Sequence, residues 1–175
     1  TTSSGHGGSI TVTANTLSIS GERPFPILEG NLFGSAGNLS SGIYSRSGCT
    51  GLCGNAGPIS ITSGSLSLNQ GGRIDSGTGS AGRGGDIVLN ATNISLAGTT
   101  IDGIGSGIYT SATAAGSGGN IALTAGQSLN ISNGATISAN TTGTGNAGNI
   151  LAMLENKGKF KVVALKMEHL EESSA

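Results

Sequence analysis

Apolar residues recur along this chain in pairs spaced two apart. One set of pairs is Ile10 and Val12, Ile59 and Ile61, Ile87 and Leu89, and Ile121 and Leu123. A second set follows seven or eight residues later: Leu17 and Ile19, Leu66 and Leu68, Ile94 and Leu96, and Leu129 and Ile131. Single apolar positions come after these, at Ile74 in Gly-Arg-Ile-Asp, Ile101 in Thr-Ile-Asp and Ile137 in Thr-Ile-Ser. A period of two places such side chains on one face of a β-strand. Short links of Gly, Asn, Ala and Ser separate the pairs, and these residues tolerate tight corners.

Each first pair is announced by the same phrase, a glycine pair or Ala-Gly, one free position, then Ile. It appears as Gly7-Gly8-Ser9-Ile10, Ala56-Gly57-Pro58-Ile59, Gly84-Gly85-Asp86-Ile87, Gly118-Gly119-Asn120-Ile121 and Ala147-Gly148-Asn149-Ile150. The Ile positions are 49, 28, 34 and 29 residues apart. Repetition at such intervals marks a stacked architecture in which each unit contacts its neighbours. The pattern predicts an all-β fold, a single-stranded parallel β-helix with three short strands per coil. Coils would lie ~4.8 Å apart and bury columns of Ile, Leu and Val. Ser, Thr and Asn would face outward or line the corners.

Composition separates this reading from its rivals. Glycine occurs 33 times and charged residues make up 10% of the chain, yet 35% is hydrophobic. A disordered linker combines low hydrophobicity with high charge. A β-sandwich buries aromatics, whereas the five Phe and Tyr residues all fall outside the repeated pairs. A net charge of −1 gives no electrostatic footprint for nucleic acid. No apolar run approaches the ~18 residues of a membrane-spanning helix. The chain begins at Thr1 and reads as a segment of a longer protein.

The repeat segment covers 1–150, with insertions at about 21–54 and 103–116. Both insertions contain a matching phrase, Ser41-Gly42-Ile43-Tyr44-Ser45 and Ser106-Gly107-Ile108-Tyr109-Thr110. Each is read as an additional strand, with Ile inward and Tyr outward. Insertions in solenoids project from one face, so Tyr44, Arg46 and Tyr109 are the candidate surface contacts. Packing of the tyrosines against a neighbouring coil is the competing reading. Cys49 and Cys53 form a candidate disulfide, which would suit an oxidising setting. The region 151–175 does not repeat and holds eight of the 17 charged residues. Its run from Lys159 fits a helical stripe (Phe160, Val163, Met167, Leu170) or a strand (Phe160, Val162, Ala164). Either would cap the rod's open end, and a tail foreign to the rod remains a further reading. End-to-end self-association would follow from an uncovered end.

The stretches Gly118-Gly-Asn-Ile-Ala-Leu-Thr-Ala125, Leu129-Asn-Ile-Ser-Asn-Gly-Ala-Thr-Ile-Ser-Ala139 and Thr142-Gly-Thr-Gly-Asn-Ala-Gly-Asn-Ile150 resemble repeats of filamentous-haemagglutinin-type exoproteins, in the style of cyanobacterial members. The resemblance covers roughly residues 5–150. It implies a right-handed β-helix, two-partner secretion, display on or release from the outer membrane, and adhesion to a glycan or protein receptor on a cell or matrix. The amino-terminal secretion domain of that family has no counterpart in this sequence.

Enzymatic and cofactor chemistry find little support. Gly77-Thr-Gly-Ser-Ala-Gly82 and Gly143-Thr-Gly-Asn-Ala-Gly148 match a dinucleotide fingerprint in spelling, but strand phrases follow where a helix is needed. No cofactor or metal is expected. The alternative to adhesion is a polysaccharide-binding or polysaccharide-processing β-helix. Its catalytic form would use Asp75 and Asp102, which each follow a third-strand Ile. Stacked one coil apart they would meet the ~5–9 Å separation of glycosidase carboxylates. The equivalent residue after Ile137 is Ser138, and an Asp there also suits a turn.

Overall fold

The computed structural model describes residues 5–23, 39–48, 54–79, 81–113, 115–156 and 159–163. All regular elements are strands: β1 (Ile10–Ser20), β2 (Glu22–Arg23), β3 (Leu39–Ser40), β4 (Gly42–Tyr44), β5 (Ile59–Asn69), β6 (Arg73–Asp75), β7 (Ile87–Ala97), β8 (Gly107–Ala112), β9 (Ile121–Ser132), β10 (Thr136–Thr141), β11 (Ile150–Asn156) and β12 (Lys159–Val163). The larger sheet runs β1-β5-β7-β9-β11-β12 and the smaller runs β4-β6-β8-β10. Every pairing in them is parallel except β11 with β12. The chain is a parallel β-solenoid, in which four layers are each made of one long and one short strand and β11 adds a fifth long strand.

The sequence pairs stack in register. Ile10, Ile59, Ile87, Ile121 and Ile150 form one column. Leu17, Leu66, Ile94 and Leu129 form another. Ile43, Ile74, Ile108 and Ile137 form a third on the smaller sheet. Ile59, Leu66, Ile74, Leu96 and Ile108 are at most 1% exposed. Full burial of each such side chain contributes about 1.5–3 kcal/mol.

The three expected faces arise from two strands. In β5, Ile59, Ile61 and Ser63 are buried, then Leu66 and Leu68. Alternation slips by one at Gly64-Ser65, so the strand turns a corner without breaking. In β9 the second pair comes one residue later. The extra residue is absorbed as a bulge opposite Ala91 and Asn93.

Sterics explain the glycine phrase. A Cβ on Gly57, Gly85, Gly119 or Gly148 would lie under 3.0 Å from a carbonyl oxygen of the layer before it. Only glycine allows backbones to approach that closely. The preceding position accepts Ala at Ala56 and Ala147. Buried hydroxyls complete this corner: Ser45 donates to Gly8 O at 2.8 Å, Ser76 to Gly57 O at 2.6 Å and Thr110 to Gly119 O at 2.6 Å. Some Ser and Thr therefore line this corner with their hydroxyls buried, because these carbonyls need donors.

One assignment is corrected. Ile101 does not join the third column; it is 84% exposed, and Ile108 takes the place. At Gly98 (φ +79°) the chain leaves the layer and makes a small excursion. Thr99 bridges Gly105, and Ser106 N–H returns to Gly98 O at 2.9 Å. The β1–β4 layer departs at the matching place. Gly21 has φ +89°, Ser41 N–H bonds Gly21 O at 3.1 Å, and β2 pairs antiparallel with β3. The two layers between and beyond close tightly through Gln70-Gly71 and Asn133-Gly134, all with positive φ. Both excursions thus leave one corner, and the Gly-Ile-Tyr phrases that follow them belong to the coil itself.

β11 continues the long-strand register past position 150, with Ala152 buried opposite Leu123. β12 folds back antiparallel along it, pairing Ala152 with Val163. No helix among the described residues is long and apolar enough to cross a membrane.

Candidate functional site

The smaller sheet carries the chemistry. Its inward row is isoleucine, so the residues on either side face out. One outward row reads Gly42, Arg73, Gly107, Thr136 and the next reads Tyr44, Asp75, Tyr109, Ser138. Beyond them comes Gly77 opposite Ser111, with Arg46 beside Gly77.

The Gly-Ile-Tyr phrase builds each tyrosine locally. The ring of Tyr44 folds back across Gly42, where a Cβ would sit 2.8 Å from the ring. Its hydroxyl donates to Ser40 O at 2.7 Å. Tyr109 repeats the arrangement over Gly107 and donates to Gly105 O at 2.8 Å. Both phenols therefore bond a backbone carbonyl, and the Tyr109 hydroxyl also meets Thr136. Burial raises both phenol pKa values above the ordinary range, outweighing the opposing pull of Arg73 on each and of Arg46 on Tyr44.

Two guanidiniums stack on the rings. Arg46 lies 4.6 Å from the Tyr44 ring centroid and Arg73 lies 4.1 Å from that of Tyr109, both within cation–π range. Asp75 ties them together. Its Oδ2 pairs with Arg46 Nη2 and lies 3.6 Å from Arg73 Nη2. Asp75 is 3% exposed, whereas the Arg46 side chain is 55% exposed. Burial works against the Arg46 charge, and the hydrogen bond and attraction of Asp75 more than offset it, so its pKa rises. The result is a band of two aromatic rings, two cations and one carboxylate.

Beside the band opens a recess of about 480 Å³. It is lined by Arg46 and Gly48 of one layer, Gly77 and Gly79 of the next, and Ser111 and Thr113 of the one after. A second recess of about 320 Å³ lies at the excursion corner, against Gly21, Gln70 and Ile101.

Tyr44, Arg46 and Tyr109 are thus brought onto one face. Both tyrosines are half-buried, each folded back over the glycine two residues before it. Cys49 and Cys53 lie outside the described residues. Asp75 and Asp102 do not form the anticipated pair. Tyr109 and Tyr44 stand opposite Asp75, and Asp102 lies in the turn after Thr100, because the excursion removes it from the sheet. Arg73 was missed as a member of the band. Aligning Gly-Arg-Ile-Asp with the two Gly-Ile-Tyr phrases places Arg73 and Asp75 in the same outward rows, which is the signal that finds it.

Comparison with protein-family models, with curated proteins and with solved structures returned no match.

Proposed function

We propose that this chain is an attachment segment of a secreted or outer-surface protein of the filamentous-haemagglutinin type. The solenoid acts as a rigid mast, and the smaller sheet meets a receptor on a cell or matrix. The observation that carries this reading is the Tyr44–Arg46–Asp75–Arg73–Tyr109 band. It gathers side chains that are enriched where proteins bind partners, and it holds four of the five on strands, with Arg46 two residues past the end of β4. A catalytic role is not proposed, since the two carboxylates it would use are not opposed.

The test is attachment of beads coated with the chain to cells and to matrix polysaccharide. Arg46→Ala with Tyr44→Ser is expected to reduce attachment while leaving far-ultraviolet circular dichroism unchanged. Equal attachment by the double variant would overturn the assignment of this face. The recess beside the band favours a polysaccharide as the receptor.

A further inference from the structure

We infer that Asn133 is a modification site, at which the side-chain amide is lost spontaneously through a succinimide and a mixture of aspartyl and isoaspartyl residues takes its place. The nucleophile is the backbone nitrogen of Gly134 and the co-reactant is water. The site does not depend on the attachment reading.

Two layers close their corner with the same two-residue turn. Gln70-Gly71 joins β5 to β6, and Asn133-Gly134 joins β9 to β10. Their φ values match, +49° and +88° in the first turn and +52° and +80° in the second. One backbone bond closes each, Gly72 N–H to Asn69 O at 2.9 Å and Ala135 N–H to Ser132 O at 3.1 Å. This conformation constrains the residues. A positive φ at the first position favours Asn among side-chain-bearing residues. A Cβ at 134 would meet Thr99 Cγ2 at 2.7 Å, so close packing under the excursion also calls for glycine. The layer thus selects Asn-Gly, which occurs once in the chain.

The two turns differ in the nitrogen that would attack. Gly71 N–H donates to the buried Ser106 Oγ at 2.8 Å. Gly134 N–H has no partner among the described residues. The side chains differ too. Gln70 Oε1 accepts from Ser20 Oγ at 3.3 Å, whereas Asn133 is exposed and its amide makes no hydrogen bond among the described residues. Asparagine is among the thermolabile residues, and its ring closure is five-membered. A glutamine must freeze one further methylene to close a larger ring. At Asn133 the Gly134 nitrogen loses its proton and attacks Cγ. An N–Cγ bond forms, the Cγ–Nδ2 bond breaks, and ammonia leaves with the proton. Water then opens the ring. Hydrolysis at the side-chain carbonyl leaves aspartate. Hydrolysis at the main-chain carbonyl leaves isoaspartate, whose backbone is one carbon longer in the turn that leads into β10.

The test ages the folded full chain in neutral buffer and follows it by peptide mapping and by labelling with an isoaspartyl methyltransferase. Asn133 is expected to lose its amide about tenfold or more faster than Asn130 and Asn140, yielding both aspartate and isoaspartate. Asn133→Gln is expected to abolish the labelling while the melting temperature holds, because Gln70 already occupies the same conformation. Gln70→Asn writes the labile pair into the second layer, where Ser106 holds the nitrogen. In the folded chain the new asparagine is expected to react about tenfold or more slowly than Asn133. In urea that difference is expected to vanish. Equal loss at the two turns of the folded chain, a difference that persists in urea, aspartate without isoaspartate at 133, or an Asn133 that reacts in urea and stays intact when folded would each overturn the inference.

Discussion

A Cβ on Gly85 would collide with the carbonyl oxygen of Gly57 in the layer before it. The collision is with backbone in register, so no rotamer relieves it. Gly85→Ala is expected to destabilise the fold by about 3 kcal/mol or more, the upper range for overpacking. Gly8 is the matched control. A Cβ there meets nothing within 4 Å among the described residues. Gly8→Ala should unfold within about 0.5 kcal/mol of the parent, as surface substitutions do. Urea denaturation of the two variants checks the contrast, and equal losses would refute the directional stacking of this column.

The third column makes a similar pair. Ile108 is fully buried between Ile74 and Ile137, whereas Ile101 is largely exposed. Ile108→Ala should cost about 2–5 kcal/mol through lost burial and the cavity left behind. Ile101→Ala should cost almost nothing. Thermal melts that reversed this order would return Ile101 to the sheet.

High pH should loosen the aromatic band. Tyr44 and Tyr109 have native pKa values above the ordinary 10.0, chiefly because burial opposes the phenolate. The unfolded chain then ionises first. The stabilisation is complete below about pH 10 and is lost as pH rises through the native values. Melting temperature should therefore fall across the alkaline limb. A Tyr44→Phe, Tyr109→Phe chain should show a shallower fall, and tyrosinate absorbance in the parent should lag behind that of free tyrosine.

Low pH acts at a different corner. Burial would raise the Asp86 pKa. It is outweighed by the Arg83 fork at 2.6 and 3.2 Å and by the Asn120 N–H at 2.7 Å, so the value falls below the ordinary 3.8. The native state holds the charged form more tightly than the unfolded state. The stabilisation is present above the ordinary value and is lost as pH falls through the lower native one. Asn120 occupies the equivalent position one layer on and accepts from Asn149 N–H at 2.9 Å. Asp86→Asn should therefore keep the corner bond, fold normally, and show a flatter acid limb in a melting series from pH 5 to pH 2.

The columns were legible from sequence because stacking repeats one decision many times. Ile10, Ile59, Ile87 and Ile121 share a phrase, and a shared phrase in a solenoid means a shared place. The Gly-Ile-Tyr strands were legible for the same reason. Ile101 misled because Thr-Ile-Asp imitates the third strand, and only the departure at Gly98 shows that the chain has left the coil. The band was half legible. Tyr44, Arg46 and Tyr109 stood out as rare residue types, but the pairing of Asp75 with Arg46 and Arg73 depends on register between layers. Inward Ser45, Ser76 and Thr110 were hidden because a polar side chain in a core is explained only by the carbonyl it serves.

The common corner of the two excursions separates two kinds of freedom. Layers that close with a tight turn alternate with layers that open, so each open site has a vertical clearance of ~10 Å, twice the strand spacing. Sequence grafted between Gly98 and Ser106 can lengthen or change without shifting any isoleucine from its stack. The solenoid can thus diversify what it shows at its side while keeping its frame constant, and its variation should concentrate at that port rather than along the columns.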